Sequence, residues 1–279
     1  MSQQNAGAGA ARNAGMNAAS GEYLFFFDPD DSCEKDMLEV MYRKAKNTKA
    51  DVVVAGKKIV DAETGELIEY KPLPRRLTWF HRKSFAPSKI ADRLFSFAKA
   101  VPWDKLFRRA FVEENGLRFQ RLPRSNDVYF VDMALALAKR IALVRKGYYR
   151  YSFRRGGSLT FSKDRHPFAT VEAYDAIAVA LKKHGLWETF RASYAEVYFG
   201  LAASTLGAFN DYSNFSKVYA MMRERILASS KGISFEGNPR IPEGVMKRGR
   251  ILLAEETPEA LWKLCEPIRK KRLASEGGT

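Results

Sequence analysis

Cysteine and histidine are scarce in this chain of 279 residues, which has two cysteines, Cys33 and Cys265, and three histidines, His81, His166 and His184. So few cysteines exclude a disulfide scaffold and a multi-cysteine zinc site. The histidines share no metal-ligand spacing, which argues against a histidine-built metal centre. No apolar run approaches the length of a membrane span, and no stretch near Met1 has the charged-then-apolar pattern of a secretion signal. The expectation from these absences is a reduced, cytoplasmic, basic protein. What is present, 46% hydrophobic and 28% charged residues, describes a globular chain. Its length suits one large domain or two small ones.

Acidic residues are also scarce in one place. Residues 71–166 hold 7 Asp and Glu against 23 Lys and Arg, a net of +16, whereas residues 1–70 carry −4 and residues 167–279 carry +3. Essentially all of the formal net charge of +15 therefore lies in the middle third. Such a region attracts polyanions, either anionic lipid headgroups, phosphorylated small molecules or nucleic acid, unless it is simply a solvated face. No helix-turn-helix, zinc or RNA-binding signature accompanies the charge, so no nucleic-acid partner is expected.

The chain opens with a Gly-, Ala- and Asn-rich stretch in which Ala10 to Ala19 carries good helix formers. Glu22-Tyr-Leu-Phe-Phe-Phe27 is an apolar run without alternation, as in a strand buried on both faces. It stops at Asp28-Pro29-Asp30-Asp31. Asp31 can cap the following helix, with Glu34 at the capping-box position and Met37, Leu38, Met41, Tyr42 and Ala45 on its apolar face. Asp51 to Ala55 reads as another buried strand, and Lys58–Val60 and Leu67–Tyr70 as a hairpin. Helices are predicted near 88–99, 104–115 (ending at Gly116) and 127–139, then strands at 141–144 and 148–153. Helical periodicity dominates beyond His166, at 167–184, 187–209, 214–229 and 258–273.

The acidic turn is the most informative local feature. In open α/β sheets ligands bind beyond the carboxyl ends of the strands. Three carboxylates in four residues repel one another unless solvated or neutralised, and a hard, oxygen-loving Mg²⁺ or Mn²⁺ suits them. A helix-capping acidic turn is the alternative.

The spacing of several segments resembles the family 2 glycosyltransferases. There an N-x-G-x-x-x-A-R-N-x-G stretch leads through A-x-G-E-Y to a strand and a D-x-D-D turn, matched here from Asn5 to Asp31. Pro102-Trp-Asp-Lys-Leu-Phe107 is similar to the family's W-N-K-L-F, and Asn115-Gly-Leu-Arg-Phe119 to its N-G-I-R-F. Asn126-Asp127-Val-Tyr-Phe130 stands where many members carry E-D-x-x-F, and Tyr149–Ser158 resembles their Y-x-Y-R-x-R-x-x-S. The resemblance implies a GT-A fold: a mostly parallel sheet flanked by helices over residues 1–162, with residues 163–279 as a helical extension. It also implies a nucleotide-activated sugar transferred to an acceptor hydroxyl with inversion, in the assembly of cell-surface polysaccharide or lipopolysaccharide.

The implied roles follow residue by residue. Asp28 and Asp30 would hold the metal, and Asp31 would either ligate through water or cap the helix. Asp127 would be the general base, or else the N-cap of the helix after it. Asn126 departs from the family's usual Glu. Arg12 and Asn13 would lie close to the donor nucleotide, or on a helix surface. Arg154 and Arg155 would clamp the diphosphate, or be solvated strand-end charge. Trp103 would stack on an acceptor sugar, or belong to the core. The acceptor is expected to be a glycan or lipid-linked molecule. The face of the last helix, Leu261, Leu264, Cys265 and Ile268, with Lys263 and Arg269–Arg272 nearby, rests either on an anionic membrane or on the helical tail.

Segments that usually open such a domain, a V-S-V-I-I-P-x-Y-N strand and a D-D-G-S-x-D strand end, have no counterpart here. The expectation is a truncated or mis-started domain that lacks the first nucleotide-gripping βαβ units. The rival reading is a non-catalytic remnant that binds membrane or polyanion through its basic middle.

Overall fold

The computed structural model describes residues 2–71, 73, 84–153, 163–254 and 257–276, with side chains to residue 271. In chain order the elements of the first half are α1 (Gly7–Ala18), β1 (Tyr23–Phe25), β2 (Ser32–Cys33), α2 (Met37–Thr48), β3 (Val52–Asp61), β4 (Leu67–Lys71), β5 (Lys105–Arg108), α3 (Arg109–Glu114), α4 (Val128–Leu137) and β6 (Ile141–Phe153). Helices α5 (Ala169–Lys183), α6 (Trp187–Leu206), α7 (Tyr212–Ser229), α8 (Glu243–Leu253), α9 (Pro258–Leu264) and α10 (Glu266–Glu276) follow.

The sheet runs β1-β5-β3-β6-β2, with β4 paired to the far half of β3. It is mixed. Among the described residues only β3 and β6 are parallel, and the other four pairings are antiparallel. The expectation of a mostly parallel sheet is corrected in this respect. Burial does not set strand direction, and the Glu22–Phe27 run, expected to be buried on both faces, holds the end strand β1, in which only Leu24 is buried, and Phe27 is 46% exposed. The predicted hairpin of β3 and β4 is present.

Two helix predictions near the middle fail. Residues 105–108 form a strand, because the segment lies between β1 and β3 and its backbone groups are satisfied by ladders on both sides. Only the short α3 follows, and it stops before Gly116, whose φ is +60°. In place of a helix over 88–99 the chain makes a 3-10 segment, Pro87–Arg93. The two strands expected at 141–153 are one, β6, whose register with β3 shifts on either side of Gly56. A Cβ on Gly56 would come within 2.5 Å of the Arg145 carbonyl, so only glycine fits this bulge.

Alternation along β3 divides the core. Val52 and Val54 face one side with Phe107, Ile141 and Leu143, whereas Val53 and Ala55 face the other with Leu106, Ala142 and Tyr149. The second side is covered by Met37, Met41 and Ala45 of α2. Leu38 and Tyr42, expected on the same helical face, are 48% and 45% exposed, so the buried stripe is narrower than predicted. The first side is larger. One apolar cluster runs from Met16 through α4, buried from Phe130 to Ala136, to Leu261 and Cys265 in the helical part. The two halves of the chain therefore share a core across the boundary expected near residue 162, which itself lies outside the described residues. Helix α8 had no counterpart in the sequence prediction, and the final helix is split into α9 and α10 at Cys265. Leu261 and Cys265 are completely buried there, and Arg269 lies 3.6 Å over the Trp262 ring. Of the expected apolar face, Leu261, Cys265 and in part Leu264 pack into the core, whereas Ile268 is 41% exposed.

Candidate active site

Four phenylalanines locate the site. Phe26 just beyond β1, Phe107 of β5, Phe119 and Phe130 of α4 meet ring to ring, with centroids 4.1 to 5.9 Å apart. Each such pair contributes about 0.5–1.5 kcal/mol beyond area burial. The cluster holds together the end of β1, the loop after α3 and the start of α4, which are the places where Asp28 and Asp127 stand.

The turn Asp28-Pro29-Asp30-Asp31 is closed by the Asp31 amide, which donates to the Asp28 carbonyl at 3.1 Å. Arg12 of α1 donates through Nη2 to Asp28 Oδ1 at 2.7 Å and through Nη1 to Asn126 Oδ1 at 3.0 Å. One guanidinium thus ties α1, the acidic turn and the loop before α4. Asn13 makes a reciprocal pair with the Phe119 backbone, donating to its carbonyl and accepting from its amide, both at 2.9 Å. Close approach of α1 to this loop depends on Gly9, where a Cβ would collide with the Gln120 carbonyl.

Asp31 does not cap α2. Its two oxygens accept from the Tyr149 hydroxyl and the Ser152 amide, both at 2.7 Å. The helix starts later, with Asp36 at the N-cap making no side-chain cap bond. Attachment to β6 outcompetes the local cap because it brings two partners instead of one. Burial pushes the Asp31 carboxyl up from its ordinary pKa, against the lowering effect of these two bonds. Asp30 is exposed.

Asp127 occupies the N-cap position of α4, yet its side chain makes no cap bond. Desolvation raises its pKa, Arg12 and Lys105 oppose the rise, and the Asp28 charge adds to it. Its neighbour Asn126 is buried and engaged with Arg12.

Behind Asp127 lie charged residues that sequence reasoning missed. Asp132 is 1% exposed and burial pushes its carboxyl up to about 8, with Lys105 opposing and Asp127 reinforcing the shift. Its Oδ1 has no hydrogen-bond partner. Lys105 is fully buried, and its ammonium donates to the Lys99 and Val101 carbonyls and to Asp104 at 2.7–2.8 Å. Lys57 reaches the other Asp104 oxygen at 3.1 Å. A single acid inside the apolar run Val131-Asp-Met-Ala-Leu135 was the available signal for Asp132.

Trp103 is 7% exposed. Its ring stacks on Tyr149 at 4.4 Å and Tyr151 at 5.6 Å, and Lys57 sits 4.5 Å from its centre. The structure thus places it in the smaller core. Arg154 and Arg155 lie outside the described residues.

Among the described residues no three His, Cys, Asp or Glu side chains converge as a metal site. Two carboxylates of the turn are still available: Asp28, whose Oδ2 has no protein partner among the described residues, and the exposed Asp30. Mg²⁺ and similar hard ions commonly take one or two carboxylates and complete their shell with substrate phosphates and water. This donor set fits such an ion in company with a phosphorylated ligand.

Residues 1–115 match the family model described as Glycosyl transferase family 2. The match contains α1, the acidic turn and the Trp103–Phe107 segment, and ends before Asp127. The cholesterol galactosyltransferase of Borreliella burgdorferi is 27% identical over 253 residues, 84% of this chain and 68% of that protein. The succinoglycan biosynthesis protein ExoO of Rhizobium meliloti is 28% identical over 178 residues, 62% of this chain and 50% of that protein. The chain thus spans between half and about two thirds of these relatives. Among solved structures, S. aureus TarS 1-349 superposes with a TM-score of 0.60 at 17% identity, over 97% of this chain and 73% of that one. The same protein in complex with UDP gives a TM-score of 0.50 over 90% and 72% of the two chains, also at 17% identity. With the matched motif residues gathered around one turn, residues 1–115 match the family 2 glycosyltransferases, and the chain has a GT-A type fold like that of TarS.

Proposed function

We propose that the site transfers a sugar from a nucleotide-activated donor to an acceptor hydroxyl, with inversion, in the assembly of a cell-surface glycan or glycolipid. The observation that carries the reading is the convergence of Asp28, Arg12, Asn126 and Asp127 from three separate segments beyond the end of β1. A site of this kind needs a group that tolerates a departing diphosphate and a base for the attacking hydroxyl. Arg12 presents a guanidinium suited to phosphate oxygens, held in place by two acceptors. Asp28 and Asp30 would hold Mg²⁺ or Mn²⁺, which when bound stabilises the negative charge developing on the leaving diphosphate.

Asp127 accepts the proton of the acceptor hydroxyl. Its carboxylate is not spent on capping α4, and its raised pKa brings it nearer to working pH, where a general base is most effective. Attack by that hydroxyl on the face of the anomeric carbon opposite the leaving diphosphate inverts the configuration. The galactosyltransferase and ExoO relatives support an acceptor that is lipid-linked or part of a surface polysaccharide. The UDP complex of TarS supports a nucleoside diphosphate donor.

Release of UDP from a panel of UDP-sugars, followed with Mn²⁺ or Mg²⁺ and after chelation, tests the reading. Metal-dependent release that disappears in Asp28→Asn supports it. Release unaffected by chelation and by Asp28→Asn, or none with any donor, refutes it.

A further inference from the structure

A second charged cavity opens at the opposite end of the sheet from the acidic turn. Glu22 and Tyr23 begin β1, Asp51 precedes β3 and Arg140 precedes β6, whereas Asp28 follows the end of β1 and Asp31 is attached to the far half of β6. From Glu22 to Asp28 the chain covers six residues, as much as about 20 Å when extended. The cavity has a volume of about 390 Å³ and is lined by five cations, Lys46, Lys49, Arg108, Lys139 and Arg140.

The carboxylates at hand answer two of these five cations, Lys46 and Arg108. Glu22 accepts from Lys46 at 2.8 Å. Asp51 is 4% exposed and completely engaged: Oδ1 accepts two bonds from Arg108, at 2.8 and 3.1 Å, and Oδ2 accepts from the backbone amides of Lys139 and Arg140 at 2.8 and 3.1 Å. The ammonium groups of Lys49 and Lys139 and the guanidinium of Arg140 have no carboxylate partner among the described residues. Helices α2 and α4 end beside the cavity, and each C-terminus contributes roughly half a negative charge. That offsets about one of the three positive charges, and an excess of about two is left facing a concave space.

We propose that this cavity is a binding site for a phosphorylated anion, a diphosphate or phosphomonoester, separate from the sugar-transfer site. Its volume falls at the small end of ligand cavities, roughly 300–1,000 Å³, which suits a phosphoryl head better than a whole nucleotide sugar. Arg140 supplies the planar fork that binds phosphate in two-point fashion, and Lys49 and Lys139 supply mobile point charges. The backbone of residues 139 and 140 is fixed by Asp51, so these side chains start from a rigid base.

The probes are inorganic pyrophosphate, titrated by calorimetry, and vesicles containing phosphatidylglycerol, tested by co-sedimentation. The variants are Lys139→Ala/Arg140→Ala, which keeps the two backbone amides that hold Asp51, and Lys270→Ala, which removes a cation of α10 paired with Glu266. The expected result is binding that weakens by on the order of tenfold or more in the double variant and is unchanged in Lys270→Ala, with a thermal melt of both variants like that of the wild type. The arm in which this dependence is seen identifies the source, a free phosphoryl compound or a lipid headgroup. No binding to either probe, or binding kept at full strength in the double variant, overturns the proposal. Failure of sugar transfer in the UDP-release assay would leave this result untouched, because the two tests use different residues.

Discussion

The two ends of the sheet carry charge in opposite ways. Beyond the end of β1, carboxylates gather: Asp28 is met by Arg12 and Asp31 by Tyr149 and Ser152, while Asp127 has a hydrogen bond from its own backbone amide and otherwise the field of its neighbours. Before β1, β3 and β6, one fully bonded carboxylate, Asp51, holds the backbone and Arg108, while Lys49, Lys139 and Arg140 stand nearby without a carboxylate partner among the described residues. A carboxylate left with unused oxygens is available for chemistry. One whose oxygens are all engaged is a structural part. The difference separates Asp28 and Asp127 from Asp31 and Asp51 more clearly than exposure does.

The largest expected effect comes from neutralising the acid that makes no bond to another residue's side chain. Asp127→Asn should lower sugar transfer by roughly 10²–10⁴-fold with little change in stability, measured as kcat in the UDP-release assay. In the wild type the acid limb of the pH profile should lie above that of an ordinary aspartate, because desolvation raises the Asp127 pKa. Activity is then lost as pH falls through that raised value, and an acid limb at the ordinary aspartate position would contradict the assignment.

Next comes the engaged acid at the other end. Asp51→Ala leaves two backbone amides and the Arg108 guanidinium without their acceptor, and should cost about 3 kcal/mol in denaturant unfolding. A variant as stable as the wild type would show that Asp51 is not the fastening point of β3, β5 and β6.

Asp132 sharpens the comparison from inside. Its folded pKa of about 8 lies far above the ordinary value of about 3.9, so the folded state holds the proton more tightly than the unfolded chain. Its contribution to stability is therefore lost as pH rises from about 4 to about 8. Asp132→Asn cannot lose a proton, so the stability difference between variant and wild type should grow with pH across that window. Unfolding measured at several pH values would show a constant difference if the carboxyl is ordinary.

The smallest effect is expected at the surface. Arg43 and Glu39 form an exposed i,i+4 pair on α2, and Arg43→Ala should change stability by less than about 1 kcal/mol. A larger loss would mean that α2 relies on surface charge rather than on Met37, Met41 and Ala45.

Legibility in the sequence followed the range of the interactions. The strand before the acidic turn, the β3–β4 hairpin, α4 and most tail helices were visible because apolar period and turn residues are local signals. Residues 105–108 were misread because their strand state is imposed by β1 and β3, which lie far away in the chain. Motif spacing placed Asp28, Arg12 and Asp127 on one list, but not the Arg12 bridge between them. Tyr149 and Lys105 were quoted only within motifs, since a hydroxyl on Asp31 and an ammonium buried among carbonyls leave no periodic trace.

By itself the sequence determined which residue types lie at which spacing, and so the resemblance to the family 2 glycosyltransferases, the buried strand β3 and the helical character of the second half. Tertiary structure alone decided the mixed strand order, the shared core between the halves and the fate of each charge. The physical reason is that a carboxylate's role depends on what occupies its lone pairs and how much water it keeps. Both can be supplied by residues far away in the chain, as Tyr149 and Asp31, 118 positions apart, demonstrate.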